Sequence, residues 1–290
     1  MQKFEVLRVK TKDDFFLDGL VFEPKKKGEI ALIYVHGLGG AFYGNPARLQ
    51  EYAKKCEENR FAFFSFNNRG NNVIIRLDRE GKEKLESIDC GSAFEKFSDC
   101  VFDLDACISE AEKRGYRKIV LIGHSSGANK VVHYLYKKPK NKVSLAVLSG
   151  AVSDVPMIKK MLGKGYERAI EYAKKAKRKG ELLPYELVFQ YCSAERFLNL
   201  ASEKSEEDVF QYHMKNPQWK EMKSIKIPVL AIIGENDQYA TIDVKEILRK
   251  YKKVNSLIES EIVKGADHSF RGNERESVGK IVEWVKNNLK

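Results

Sequence analysis

The sequence predicts an α/β fold: an open, mostly parallel central sheet flanked by helices, interrupted by one helical insertion. Three observations carry that expectation. Several short runs are continuously apolar, among them ALIYV, FAFFSF, KIVLIG and PVLAIIG, as parallel strands covered on both faces tend to be. Helical periodicity returns between these runs, and regular alternation of strand and helix is the pattern of a parallel sheet with right-handed crossovers. Between Asp154 and about Ser224 the alternation stops, and only helical patterns remain.

Taken in order, the runs rich in β-branched and aromatic residues cover 15–22, 30–35, 61–66, 118–122, 145–148, 229–233 and 257–263. The first alternates with polar residues and suits an antiparallel hairpin at the sheet edge. Helices are predicted around Phe97, Val101, Leu104, Ile108 and Ala111, and around Val278, Ile281, Val282, Val285 and Leu289, where apolar residues recur three and four apart. Ala169, Ile170, Ala173 and Ala176 mark helix within the insertion. The expected organisation is a core of residues 1–153 and 225–290 with a cap, 154–224, over the carboxyl ends of the strands. Ligands of open α/β sheets bind at those ends.

At 290 residues, with 43% hydrophobic and 32% charged residues, the chain can bury a full core. No apolar run reaches the roughly 20 residues of a membrane span, and the start, MQKFEVLRVK, lacks the apolar stretch of a secretory signal. A cytoplasmic protein is expected. Five scattered cysteines form no metal-binding spacing and read as reduced, mostly structural thiols. The net charge of +11 favours anionic partners in general. Its lysines are interleaved with acids, however, so nucleic acid is not expected as a partner.

The most informative segment is KIVLIGHSSGANKVVHYLYKK, an apolar strand running through Gly123-His124-Ser125-Ser126-Gly127 into an amphipathic helix. This is G-x-S-x-G in the context where it has a mechanism. A sharp strand-to-helix turn presents the central serine, and its neighbours two residues away on either side must be small. Ser125 is therefore the candidate nucleophile, Ser126 a candidate oxyanion donor through its N–H, and His124 a candidate substrate contact. The loop His36-Gly37-Leu38-Gly39-Gly40, after an earlier strand, offers a second oxyanion donor, Leu38 or alternatively Gly39. A dinucleotide fingerprint fails on the same residues, because Phe42 stands where the third glycine belongs. His36 reads as a structural residue of the loop.

A serine nucleophile needs a neutral imidazole and a carboxylate that orients it. His268 follows the last predicted strand in VKGADHSF and is the candidate base; His213 lies in the insertion with no strand before it. Asp237, after the strand in PVLAIIGENDQYA, is the candidate acid. Asp154 competes because it also follows a strand, Glu235 competes less well, and Asp267 reads as structural. Arg69, in FNNRGNN beyond the fourth strand, is a candidate contact for a substrate carboxylate, with a loop-stabilising role as the alternative.

HGLGG, GHSSG, GEND and GADHSF together resemble the α/β-hydrolase superfamily over nearly the whole chain. The resemblance implies the α/β-hydrolase fold with a helical cap and carboxylester-type acyl transfer through an acyl-enzyme. It also implies that no metal or organic cofactor is needed, and it carries the nucleophile role to Ser125, the acid to Asp237 and the base to His268. GHSSGANKVVHYLY with SAERFLNLAS is similar to a poorly characterised group that includes fungal siderophore-type esterases, but these short segments carry no substrate across. Dehalogenases and epoxide hydrolases of this fold need an aspartate where Ser125 stands. Thioesterases, lipases, amidases and peptidases share the triad, and a non-catalytic binding protein is the reading from another class. The expected partner is a small or medium soluble ester, with no membrane contact; a homodimer is left open.

Overall fold

The computed structural model describes residues 2–289. Its main sheet has eight strands: β1 (Glu5–Lys10), β2 (Phe16–Phe22), β3 (Ile30–Val35), β4 (Ala62–Phe66), β7 (Lys118–His124), β8 (Val143–Ser149), β9 (Val229–Gly234) and β10 (Ile258–Val263). A separate antiparallel hairpin is formed by β5 (Ile75–Glu80) and β6 (Leu85–Cys90). The spatial order is β1-β2-β4-β3-β7-β8-β9-β10. β2 pairs antiparallel with both β1 and β4, and every pair from β4 to β10 is parallel.

Period-two alternation assigns strand residues to opposite faces. Ala31, Ile33 and Val35 of β3 pack with α2 (Cys100–Lys113), α3 (Ser126–Lys137) and α8 (Val244–Val254). Leu32 and Tyr34 pack on the other face with α1 (Pro46–Asn59) and α9 (Glu274–Asn288). Burial on both faces is why ALIYV could be apolar throughout.

Two features depart from the sequence expectation. The edge hairpin takes its second strand from β1, whose pattern EVLRVK is mostly exposed and so too polar to stand out. The β5–β6 hairpin, IRLDRE against LESIDC, was not expected at all. Its strands are charged, with most positions half-buried or exposed, and pairing outside the main sheet asks little apolar surface of them.

The segment between β8 and β9 holds α4 (Asp154–Leu162), α5 (Tyr166–Lys175), α6 (Ala194–Ala201) and the short α7 (Lys220–Ser224). Ile158, Ala169, Ile170, Leu187, Phe197 and Leu200 build a small core of their own, against which Leu38 packs. Farther along, Phe210, Tyr212, Trp219 and Met222 join the main core instead. The independently packed part is thus shorter than the full interval 154–224. Among the described residues, no helix is long and apolar enough to cross a membrane.

The chain runs from β3 outward to β4, then returns to place β7 on the other side of β3. This reversal is the topological switch point, where a crevice opens beyond the carboxyl ends of the strands. Val35 stands opposite Gly123 in the β3–β7 ladder, so the two glycine-containing turns leave the sheet side by side.

Candidate active site

Ser125 sits between β7 and α3 at φ 56°, ψ −131°, a conformation costly for any side-chain-bearing residue. Its amide N–H donates to the Ser149 carbonyl on β8 (2.9 Å), and its own carbonyl accepts from Ala128 (2.8 Å), so the turn is held from both sides. The flanking glycines are demanded by close approach. A Cβ on Gly127 would lie 2.2 Å from the Val35 carbonyl oxygen, and one on Gly123 would lie 2.3 Å from the Gly127 carbonyl oxygen. Ser126 opens α3, so its N–H has no intrahelical acceptor.

The loop after β3 closes a turn through Gly40 N–H to the Gly37 carbonyl (3.1 Å), with Gly39 at φ 61°. A β-turn with positive φ at its third residue favours glycine there. His36 holds this loop from beneath. Its Nδ1 donates to the Gly37 carbonyl (2.9 Å), while its Nε2 accepts from the Asn68 backbone N–H (3.1 Å). Burial, aided by the nearby charge of Lys130, pushes the His36 pKa down to about 4, so the ring is neutral near pH 7.

His268 follows β10, and its Nδ1 lies 2.7 Å from Asp237 Oδ2. The other carboxylate oxygen of Asp237 accepts from the Tyr239 backbone N–H (3.0 Å). A carboxylate only accepts hydrogen bonds, so Nδ1 carries a proton, and in the neutral ring that leaves Nε2 as the acceptor. That Nε2 is buried and has no hydrogen-bond partner. Tyr239 packs edge-on against the imidazole at 4.7 Å between ring centroids.

Ser125, His268, His124, Leu38 and Gly39 all line one cavity of about 420 Å³. Burial holds the His124 imidazole well below the usual histidine pKa, and the positive charge of Arg48 adds to this. Met157, Met161 and Phe189 give the cavity apolar wall from the inserted segment, and sequence reasoning did not single them out. Arg271 and Tyr239 were missed as well, although each lies within three residues of a candidate triad member, as was Arg48 on α1.

Arg69 is a correction. It does not line the cavity; its guanidinium is buried against Asp13 (2.8 Å), Asp99 (3.3 Å) and Asp103 (2.7 Å), and it stacks on Phe15. With these donors committed to carboxylates, it braces the loop after β4 from within. Glu235 is also spent structurally, accepting from Gly265 N–H (2.8 Å), as is Asp267, which accepts from Arg271 N–H (2.9 Å). His213 meets the Ser153 hydroxyl at 3.0 Å and Asp208 at 3.7 Å, away from His268.

Asp154, the competing acid, does line the cavity, but its Oδ2 accepts from Asn129 Nδ2 (3.4 Å) while His268 is engaged by Asp237. Desolvation, then the negative charge of Glu207, pushes its pKa from 3.8 up to about 8. Between those values the folded protein binds more protons than the unfolded chain, so this group lowers stability as pH rises through that window. Asp154→Asn should remove the decline. In urea denaturation its advantage over wild type should grow steadily from about pH 4 to about pH 8; a pH-independent difference would contradict a neutral carboxyl.

Beneath the site lies a buried charge network. Lys130 on α3 contacts Glu95 (2.5 Å) and Asn68 Oδ1 (2.8 Å); Arg196 on α6 contacts Glu95 (3.2 Å) and forms a two-pronged pair with Glu207. All four charged side chains are essentially inaccessible. Burial alone would raise the Glu95 pKa, but Lys130 and Arg196 together hold it below the usual carboxyl value. The network joins α3, the loop carrying Asn68 and the inserted segment.

Similar structures share this architecture. A siderophore hydrolase, EstB, from Aspergillus fumigatus superposes with a TM-score of 0.72 at 18% identity, covering 94% of this chain and 95% of that one. A soluble variant of monoglyceride lipase from Saccharomyces cerevisiae gives 0.66 at 15% identity, with 97% and 95% covered. The Pyrococcus furiosus esterase Pf2001 gives 0.61 at 16% identity, with 99% and 91% covered. At such identities the likeness establishes the α/β-hydrolase fold. No curated protein matches the sequence. Residues 94–290 match the family described as "Protein of unknown function (DUF1749)", and since they make up more than half of the chain, the chain belongs to that family.

Proposed function

We propose that the protein is a serine hydrolase that cleaves carboxylic esters of small or medium soluble compounds through an acyl-enzyme. The carrying observation is the meeting of a strained Ser125 and a buried, unpaired His268 Nε2 in one cavity, with Nδ1 of the same ring committed to Asp237. His133 and His213 also have an unpaired Nε2, so what sets His268 apart is the combination of that atom with a place in the cavity beside Ser125 and an Nδ1 held by Asp237. A base waiting for a hydroxyl proton fits that combination.

In this reading Ser125 Oγ attacks the ester carbonyl carbon as its proton passes to His268 Nε2. Asp237 stabilises the imidazolium and fixes its orientation. The N–H groups of Leu38 and Ser126, with Gly39 as the alternative to Leu38, receive the oxyanion, and the N-terminus of α3 adds its positive dipole end. Collapse expels the alcohol, which takes the proton from His268. Water then attacks the acyl carbon as its proton passes to His268, and collapse breaks the acyl–Oγ bond, with the proton returning to Ser125 as the acid leaves. Within residues 154–224, the separately packed part serves as a cap that shapes the acyl pocket through Met157, Met161 and Phe189. The hydrolase, esterase and lipase among the similar structures support ester cleavage on this fold. Five buried free cysteines suit the reducing cytoplasm.

The test is covalent labelling. A fluorophosphonate should modify Ser125, as read by peptide mass spectrometry, and should stop hydrolysis of a p-nitrophenyl ester series in step with labelling. Modification elsewhere, or turnover that survives stoichiometric labelling, would refute the mechanism.

A further inference from the structure

Two arginines line the cavity beside Ser125 without a carboxylate partner among the described residues. Arg48 lies in the first turn of α1, with its guanidinium 4.8 Å over the Tyr34 ring, and Arg271 follows His268 by three residues. Arg8, Arg69, Arg114 and Arg196 each hold a carboxylate within ion-pair distance; several surface arginines do not, but Arg48 and Arg271 are the two that line this cavity. They come from neighbouring elements. α1 and α9 pack together on one face of the sheet, and Asn45 Nδ2 at the start of α1 donates to Glu274 Oε1 at the start of α9 (3.3 Å). Arg48 and Arg271 therefore share the wall where those two helices begin.

The remaining lining sharpens the contrast. Asp154 is the one carboxyl among the described residues of the cavity lining, and its raised pKa leaves it largely neutral near pH 7. The inserted segment adds Met157, Met161 and Phe189. The first turn of α1 carries no acidic residue of its own, although Glu274 reaches its N-cap Asn45. A cavity with an apolar wall and two uncompensated guanidiniums is built for a ligand with an apolar stretch and an anionic end, since arginine binds carboxylates through a planar fork.

Resting on the ester-hydrolase reading above, we infer that the physiological substrate is an ester carrying a carboxylate on its acyl or alcohol half, held by Arg48 and Arg271 while its ester carbonyl faces Ser125. The arginines touch the substrate away from the reacting bond, so they set specificity and leave the chemistry to the residues around Ser125.

Binding tests this without requiring turnover. Ser125→Ala protein is titrated calorimetrically with mono-4-nitrophenyl glutarate and with 4-nitrophenyl valerate, which differ by a carboxylate in place of a methyl group. A second pair, 4-carboxyphenyl and 4-carbamoylphenyl valerate, moves the charge to the leaving half. At least one anionic ester should bind about tenfold or more tightly than its neutral counterpart, and the ratio should fall towards one after adding Arg48→Gln and Arg271→Gln. It should also shrink in about 0.5 M salt. Equal affinities in both pairs, no measurable binding of any of the four esters, or a preference that survives loss of both arginines would each overturn the inference. Failure of the parent reading is seen separately, as loss of fluorophosphonate labelling at Ser125 in the wild type.

Discussion

Ser125→Ala should lower kcat/KM for a p-nitrophenyl ester by about 10⁶-fold, and Asp237→Asn by about 10⁴-fold, with thermal stability close to wild type. The order follows from what each group does. Without Ser125 no acyl-enzyme forms, and only the background reaction in the cavity remains. Asparagine at 237 keeps the shape but can offer its NH₂ to His268, favouring the tautomer whose Nε2 carries a proton and cannot accept one from serine. Combining the two changes should cost no more than Ser125→Ala alone, because residues that act as one unit are not additive. Asp154→Asn should cost less than about tenfold, since its carboxyl meets Asn129 rather than His268. If Asp154→Asn proved the more damaging of the two aspartate changes, the acid would have to be reassigned.

The strands of the main sheet were legible wherever burial on two faces leaves no room for polar residues, as in ALIYV and PVLAIIG. Half-buried strands such as β5 escaped, because a strand pair outside the main sheet can be made from sequences like IRLDRE that carry little apolar rhythm. The turn around Ser125 was legible for a steric reason: the Val35 carbonyl leaves no space for a side chain at Gly127. Side-chain direction was not. Asp154 and Asp237 both follow strand ends, and only the fold shows which one meets an imidazole. Arg69 likewise follows a strand end, yet its partners Asp13, Asp99 and Asp103 lie far off in sequence and draw it inward. Arg48 and Arg271 are separated by more than two hundred residues and come to line one cavity only in the fold, where α1 and α9 pack together.

Glu95→Gln should destabilise the protein by about 3–5 kcal/mol in urea denaturation, the usual cost of removing one partner from a buried ion pair. The network under the site balances two cations, Lys130 and Arg196, against two anions, Glu95 and Glu207, all sequestered from water. Neutralising Glu95 leaves Lys130 with the dipole of Asn68 and no counter-charge, whereas Arg196 keeps Glu207. Much of the loss is therefore the penalty of a stranded Lys130, which gives the prediction a control. Lys130→Met combined with Glu95→Leu removes one charge of each sign and leaves the Arg196–Glu207 pair intact, so it should cost several-fold less than Glu95→Gln alone. A double variant as unstable as the single one would mean that the packing of these side chains, not their charge balance, joins α3 to the inserted segment. A Glu95→Gln cost under about 1 kcal/mol would mean that water reaches the network.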